Sequence, residues 1–79
     1  MMSKPFRMVS CKYGNTAVRL YTTEMPNIAG FNLGYQYESC VFYDEDSEVL
    51  GRYQTLGEAI AGHNDLKLML GLNHEVDIY

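Results

Sequence analysis

The chain has no tryptophan, two cysteines, two prolines and only six basic residues among 79, and each scarcity excludes something. Nucleic-acid binding draws on clustered Lys and Arg; here six cations are scattered from Lys4 to Lys67 against ten carboxylates, for a net charge of −4. No nucleic acid is therefore expected as a partner. No stretch approaches the ~20 consecutive apolar residues that span a membrane as a helix. Cys11 and Cys40 could form one bridge at most, and Lys4, Pro5 and Arg7 interrupt the N-terminus before any apolar run develops. Free thiols and a cytoplasmic setting are expected.

What is present is globular in character: 47% hydrophobic and 20% charged residues, with seven Tyr and three Phe. A chain of this length forms one domain, residues 1–79, and buries only about 60% of the surface its unfolded form exposes. Its core is thin. Tyrosine offers contact area with a polar tip, which suits half-buried strands and binding surfaces.

FRMVSCKY-GN-TAVRLYT reads as a hairpin closed by a II′ turn at Gly14-Asn15. That turn pairs Val9 with Leu20, Cys11 with Val18 and Tyr13 with Thr16 on one face, and Met8 with Tyr21, Ser10 with Arg19 and Lys12 with Ala17 on the other. Residues 24–34, EMPNIAGFNLG, are too apolar for a solvated linker and too rich in Pro and Gly for a regular element. They read either as a packed crossover or as a ligand-contacting loop.

A second hairpin, YQYESCVFY-DEDS-EVLGRYQ, with a four-residue tip at residues 44–47, pairs Phe42 with Val49 and Val41 with Leu50. Its inward face is either Cys40, Phe42, Val49 and Tyr53, or Tyr37, Val41 and Leu50. A helix follows. Thr55 and Glu58 have capping-box spacing, Leu56, Ala59, Ile60, His63, Leu66 and Leu70 share a stripe, and Gly71 supplies the stop. The tail NHEVDIY either adds a short strand or frays. The expected architecture is α+β: an antiparallel sheet of about four strands in two hairpins, with the C-terminal helix packed on one face.

His63 lies in the middle of the apolar stripe, beside Gly62, which allows a close approach. It is either a ligand contact or general base in a shallow pocket, or a core histidine packed on a Tyr with both ring nitrogens hydrogen-bonded. The second is favoured, because buried polar groups are normally paired for structural reasons. Cys11, Cys40, His63 and His74 carry zinc-ligating atoms but no CxxC or HxxxH spacing, so no metal or other cofactor is expected. Ser10, Ser39 and Ser47 lack a nucleophile-elbow setting, GFNLG is no phosphate-binding fingerprint, and DEDSE has neither the spacing nor the glycine of a calcium loop. No catalytic residue is assigned, and an enzyme is not expected.

YESCVFYD, EVLGRYQT and GEAIAGH follow one another between Tyr35 and Lys67. This succession resembles a loosely defined group of short proteins encoded by tailed bacteriophages, in which a YExxVF strand, an RYxT turn and an EAxxGH helix occur in that order. Tyr37, Glu38, Val41, Phe42, Arg52, Tyr53, Thr55, Glu58, Ala59, Gly62 and His63 carry the resemblance, which covers less than half the chain. Residues 1–34 have no counterpart.

The resemblance implies a viral accessory protein working in the cytoplasm of an infected bacterial host, by stoichiometric binding of a host protein so as to antagonise a defence system. Self-association is expected from the two-sided apolar hairpin and the seven Tyr. One alternative is an oligomeric sponge for a small nucleotide ligand, with Phe31, Tyr35 or Tyr37 stacking on the base and Arg19, Arg52 or His63 meeting phosphate. The other is a structural or assembly protein of the virion.

Overall fold

A computed structural model describes residues 6–25 and 34–76, apart from the side chains at 15 and 16. The elements are β1 (Arg7–Lys12), β2 (Asn15–Glu24), β3 (Tyr37–Tyr43), β4 (Asp46–Tyr53), α1 (Leu56–Met69) and β5 (His74–Val76). The strands form one antiparallel sheet in the order β4-β3-β2-β1-β5. The α+β expectation holds, with the tail contributing a fifth strand along the free edge of β1.

That order dictates the path of the helix. β4 and β5 are opposite edges of the sheet, so the segment joining them must cross it. A 14-residue helix is about 21 Å long, against about 19 Å for four interstrand spacings. One face of the sheet is thereby covered by α1, which packs on β1, β2, β3 and β4. Among the described residues no helix is long and apolar enough to cross a membrane.

Both hairpin registers differ from the sequence expectation, and for the same reason. Tyr13 and Gly14, at φ 50° and 74°, are the two central residues of the first turn. Positive φ at both positions is the I′ rather than the II′ pattern. The turn is thus Tyr13-Gly14, flanked by Lys12 and Asn15, and an irregularity then carries the pairing to Cys11 opposite Arg19, Ser10 opposite Leu20 and Val9 opposite Tyr21. This is one residue away from the expected register, which exchanges the faces of one strand relative to the other. Ser10 joins Leu20 under the helix, and Val9 and Cys11 share the opposite face with Arg19 and Tyr21.

At the second tip Asp44 takes φ 51°, giving a two-residue turn flanked by Tyr43 and Asp46 instead of four loop residues. Phe42 therefore faces Ser47 and Val41 faces Glu48. A bulge follows, because Cys40 pairs with Val49 while Ser39 pairs with Gly51. Leu50 is the extra residue, and beyond it the strand changes face. Tyr53 consequently lies with Tyr37, Ser39 and Val41 under the helix, not with Cys40, Phe42 and Val49.

The helix begins and ends where its residues direct. The Thr55 side chain accepts the Glu58 amide at 3.2 Å and donates its own hydroxyl to Glu58 Oε1 at 3.0 Å. This is half of a capping box, since the Glu58 carboxylate takes the hydroxyl rather than the Thr55 amide. At the other end Gly71 sits at φ 69°, with Leu72 N–H to Lys67 C=O at 2.9 Å and Gly71 N–H to Leu68 C=O at 3.2 Å. These are the paired bonds of a Schellman motif.

The buried stripe is narrower than the expected one. Ala59 and His63 are buried, with Gly62 and Leu66 beside them, whereas Leu56, Ile60 and Leu70 remain about 40% exposed at 43%, 38% and 39%. Ala59 and Gly62, with little or no side chain, let the helix approach the sheet closely along that line. The core holds Val9, Cys11, Leu20, Val41, Ala59 and Leu72 together with four polar residues, Ser10, Thr22, Ser39 and His63.

Candidate binding face

The helix-covered face contains a polar chain built from alternate strand positions. His63 projects from α1 onto the sheet, where Ser10 Oγ lies 2.8 Å from its Nε2 and Thr22 Oγ1 2.7 Å from its Nδ1. Thr22 Oγ1 continues to Ser39 Oγ at 2.5 Å, and Ser39 Oγ to the Tyr53 hydroxyl at 3.0 Å. Each hydroxyl both donates and accepts, so a neutral imidazole is satisfied in either tautomer, the hydrogen bonds running one way or the other along the chain.

Burial holds the His63 pKa below the ordinary 6.5, partly opposed by the Glu75 carboxylate and reinforced by Lys67. Those two charges pair with each other at 2.6 Å. With no exposed surface and both ring nitrogens engaged, His63 is a structural centre of the helix–sheet layer. Gly62 beside it answers a local demand, because a Cβ there would overlap the ring of Tyr53.

The opposite face of the sheet is differently built. Arg19, Tyr21 and Thr23 of β2 and Glu38, Cys40 and Phe42 of β3 line a shallow depression of about 400 Å³. The Tyr21 and Phe42 rings meet edge to face, 5.2 Å between centroids and 78° between planes. Phe42 and Val49 keep 45% and 46% of their surfaces exposed there. Arg19 Nη1 donates to the Tyr21 hydroxyl at 3.0 Å, while Arg52 Nε reaches Glu38 Oε2 at 3.5 Å across the β3–β4 pair. The Cys40 thiol is pushed up to about 11 by burial first and by Glu38 second.

Comparison with protein-family models, with curated proteins and with solved structures finds no match to this chain. Function must therefore be argued from the site.

The six residues singled out in the sequence do not converge within the chain. Arg19 and Arg52 lie on the outward face. Tyr35 and Arg52 share a second depression, of about 480 Å³, with Val49, Leu50 and Gly51. Tyr37 is on the helix side, its ring 5.7 Å from that of Phe6 in a T-shaped contact. His63 is enclosed under the helix. Phe31, and most of the loop 24–34 to which it belongs, lies outside the described residues.

Tyr21, Glu38, Cys40 and Phe42 are legible in the sequence as strand residues but not as one surface with Arg19, and Thr23 lies beyond the end of the predicted hairpin. Their common face follows from a register that only the turn geometry sets. Cys11 and Cys40 are both free, the first buried and the second partly so. They stand on β1 and β3 with β2 between them, about 9–10 Å apart by strand spacing alone, too far for a disulfide. Among the described residues no group of three or more His, Cys, Asp or Glu side chains could hold a metal ion.

Proposed function

We propose that this chain acts by stoichiometric binding, without catalysis, and that it does so through the sheet face turned away from α1. The observation that carries the reading is the half-exposed pair Phe42 and Val49 beside Arg19, Tyr21 and Cys40. Exposed apolar area grouped around aromatic and arginine side chains is the composition of interface centres. The side chain best suited to base catalysis, His63, is wholly occupied in holding the helix to the sheet.

The partner proposed is a protein of a bacterial host. That part rests on the resemblance to phage-encoded chains, which also motivates a role against host defence and a cytoplasmic site of action. Three of the residues that carry the resemblance, Tyr53, Gly62 and His63, belong to the helix–sheet contact and its polar chain. They speak for a shared way of folding, and the outward face speaks for binding.

The test is site-specific photocrosslinking in host cells. A benzoylphenylalanine at position 49 is expected to give one dominant adduct, and the same probe at position 68, on the exposed helix, none. Equal adducts from both positions, or none from either, would refute the reading.

A further inference from the structure

Arg19 occupies the middle of the outward face, opposite Cys11 of β1 on one side and Phe42 of β3 on the other. One edge of its guanidinium is spoken for by the Tyr21 hydroxyl. Its Nε, by contrast, is buried and has no hydrogen-bond partner. A charged donor withdrawn from water and left unpaired is costly, and native structures seldom retain one without reason.

Shortage of acids is not that reason, since the chain carries ten carboxylates. Glu38 is the acidic residue lining the depression, and its carboxylate is engaged by Arg52 at 3.5 Å and by the Cys40 thiol at 3.6 Å. Arg19 thus stands without a carboxylate among the described ion pairs, ringed by Tyr21, Phe42, Thr23 and Cys40. Aromatic walls lower the local dielectric and strengthen a charge-assisted bond formed there. Tyrosine and arginine are also among the side chains enriched at interface hot spots.

The shape of the site narrows the occupant. Pockets for small molecules enclose most of their ligand, whereas this depression is open along a sheet surface. An extended or helical segment can lay one or two side chains across it while the remainder spreads over Phe42 and Val49.

We infer that the depression around Arg19 recognises a segment of another protein that presents a carboxylate side chain next to an apolar or aromatic one. This rests on the outward face being the binding surface. Because Nε–H is withdrawn from solvent in the free chain, the Arg19 side chain turns outward to meet the carboxylate, which accepts from its guanidinium, while the apolar neighbour packs on Phe42 and Val49.

A random dodecapeptide display library selected on the intact immobilised chain tests this. Selection on the wild type is expected to enrich peptides with Asp or Glu within two positions of a large apolar residue. A synthetic enriched peptide should lose at least about tenfold in affinity to Arg19→Gln, and a similar factor when its own acid is changed to the amide. Combining the two changes should cost little more than either alone. Arg19→Lys, which retains the charge but lacks Nε, should also bind more weakly, and circular dichroism checks that each variant is folded.

Enriched peptides without acidic bias whose binding is lost on Val49→Lys would overturn the carboxylate inference while leaving the outward face as the binding surface. No enrichment, or binding indifferent to both Arg19→Gln and Val49→Lys, would overturn both. Sedimentation of the free chain supplies the remaining arm: a dimer abolished by Arg19→Gln would make a second copy the occupant and refute a heterologous partner.

Discussion

The ring of Tyr53 lies where the Cβ of residue 62 would be. Any side chain at Gly62 would collide with the ring and its hydroxyl, and the same hydroxyl closes on Gly51 from the other side. The aromatic ring of β4 is therefore clasped between two glycines, one on its own strand and one on the helix, and its hydroxyl terminates the chain of hydrogen bonds leading to His63.

Gly62→Ala is expected to destabilise the protein by about 1–3 kcal/mol through overpacking, even though alanine in a helix ordinarily gains about 1 kcal/mol over glycine. Gly57 provides the contrast. Nothing lies within 4 Å of a Cβ there and its φ is not positive, so Gly57→Ala should raise stability by up to about 1 kcal/mol. Urea unfolding of both variants checks the pair, and placing Gly62→Ala in a Tyr53→Leu background should remove most of its penalty.

His63 makes stability depend on pH with a definite sign. Its folded pKa lies below the unfolded 6.5, so between the two values the unfolded chain binds the proton and the native chain does not. The contribution is complete above about pH 6.5 and declines as the solution is acidified through that value, by up to about 1.4 kcal/mol per pH unit. Chemical denaturation at pH 8, 7, 6 and 5 should show this slope, and His63→Gln should be flatter over the same range. Identical slopes would contradict a neutral buried imidazole.

The two thiols should differ in reactivity for different reasons. Cys11 is buried with 1% exposure, so alkylation there requires a local opening of the structure. Cys40 is partly accessible but titrates near 11, leaving about 0.1% thiolate at pH 8. Its labelling by iodoacetamide should rise about tenfold per pH unit between 8 and 10. Glu38→Gln removes both a charge and a hydrogen bond that raise this pKa, and should accelerate labelling at pH 8. Mass spectrometry of the labelled peptides separates the two sites.

The end of the helix offers a fourth expectation. Gly71 holds φ 69° in open space, so Gly71→Ala introduces left-handed strain without a clash and should cost about 1 kcal/mol. Gly71→Asn, better tolerated in that conformation, should recover part of it. Thermal melts of the two variants suffice.

How far these features could be read beforehand varied with the distance over which they are encoded. The Thr55 cap, the Gly71 stop and the inward direction of His63 each depend on a few neighbouring residues, and each stands as expected. Apolar spacing predicts a broader stripe, through Leu56, Ile60 and Leu70, because it does not reveal that the small residues Ala59 and Gly62 set the line of closest approach. Both turns lie elsewhere than the sequence predicts because Tyr13 and Asp44 adopt positive φ, which is uncommon outside glycine, though less so for Asp than for Tyr.

Sequence alone determined the element types, the helix ends and the presence of a histidine at the layer between helix and sheet, since propensity, capping and 3.6-residue periodicity act within one or two turns of chain. Tertiary structure decided which side of each strand is inside. Side chains alternate with a period of two, so a one-residue change in a turn or a single bulge exchanges faces. That exchange moved Ser10 and Tyr53 under the helix to complete the chain around His63, and left Arg19, Tyr21, Cys40 and Phe42 together on the face where binding is proposed.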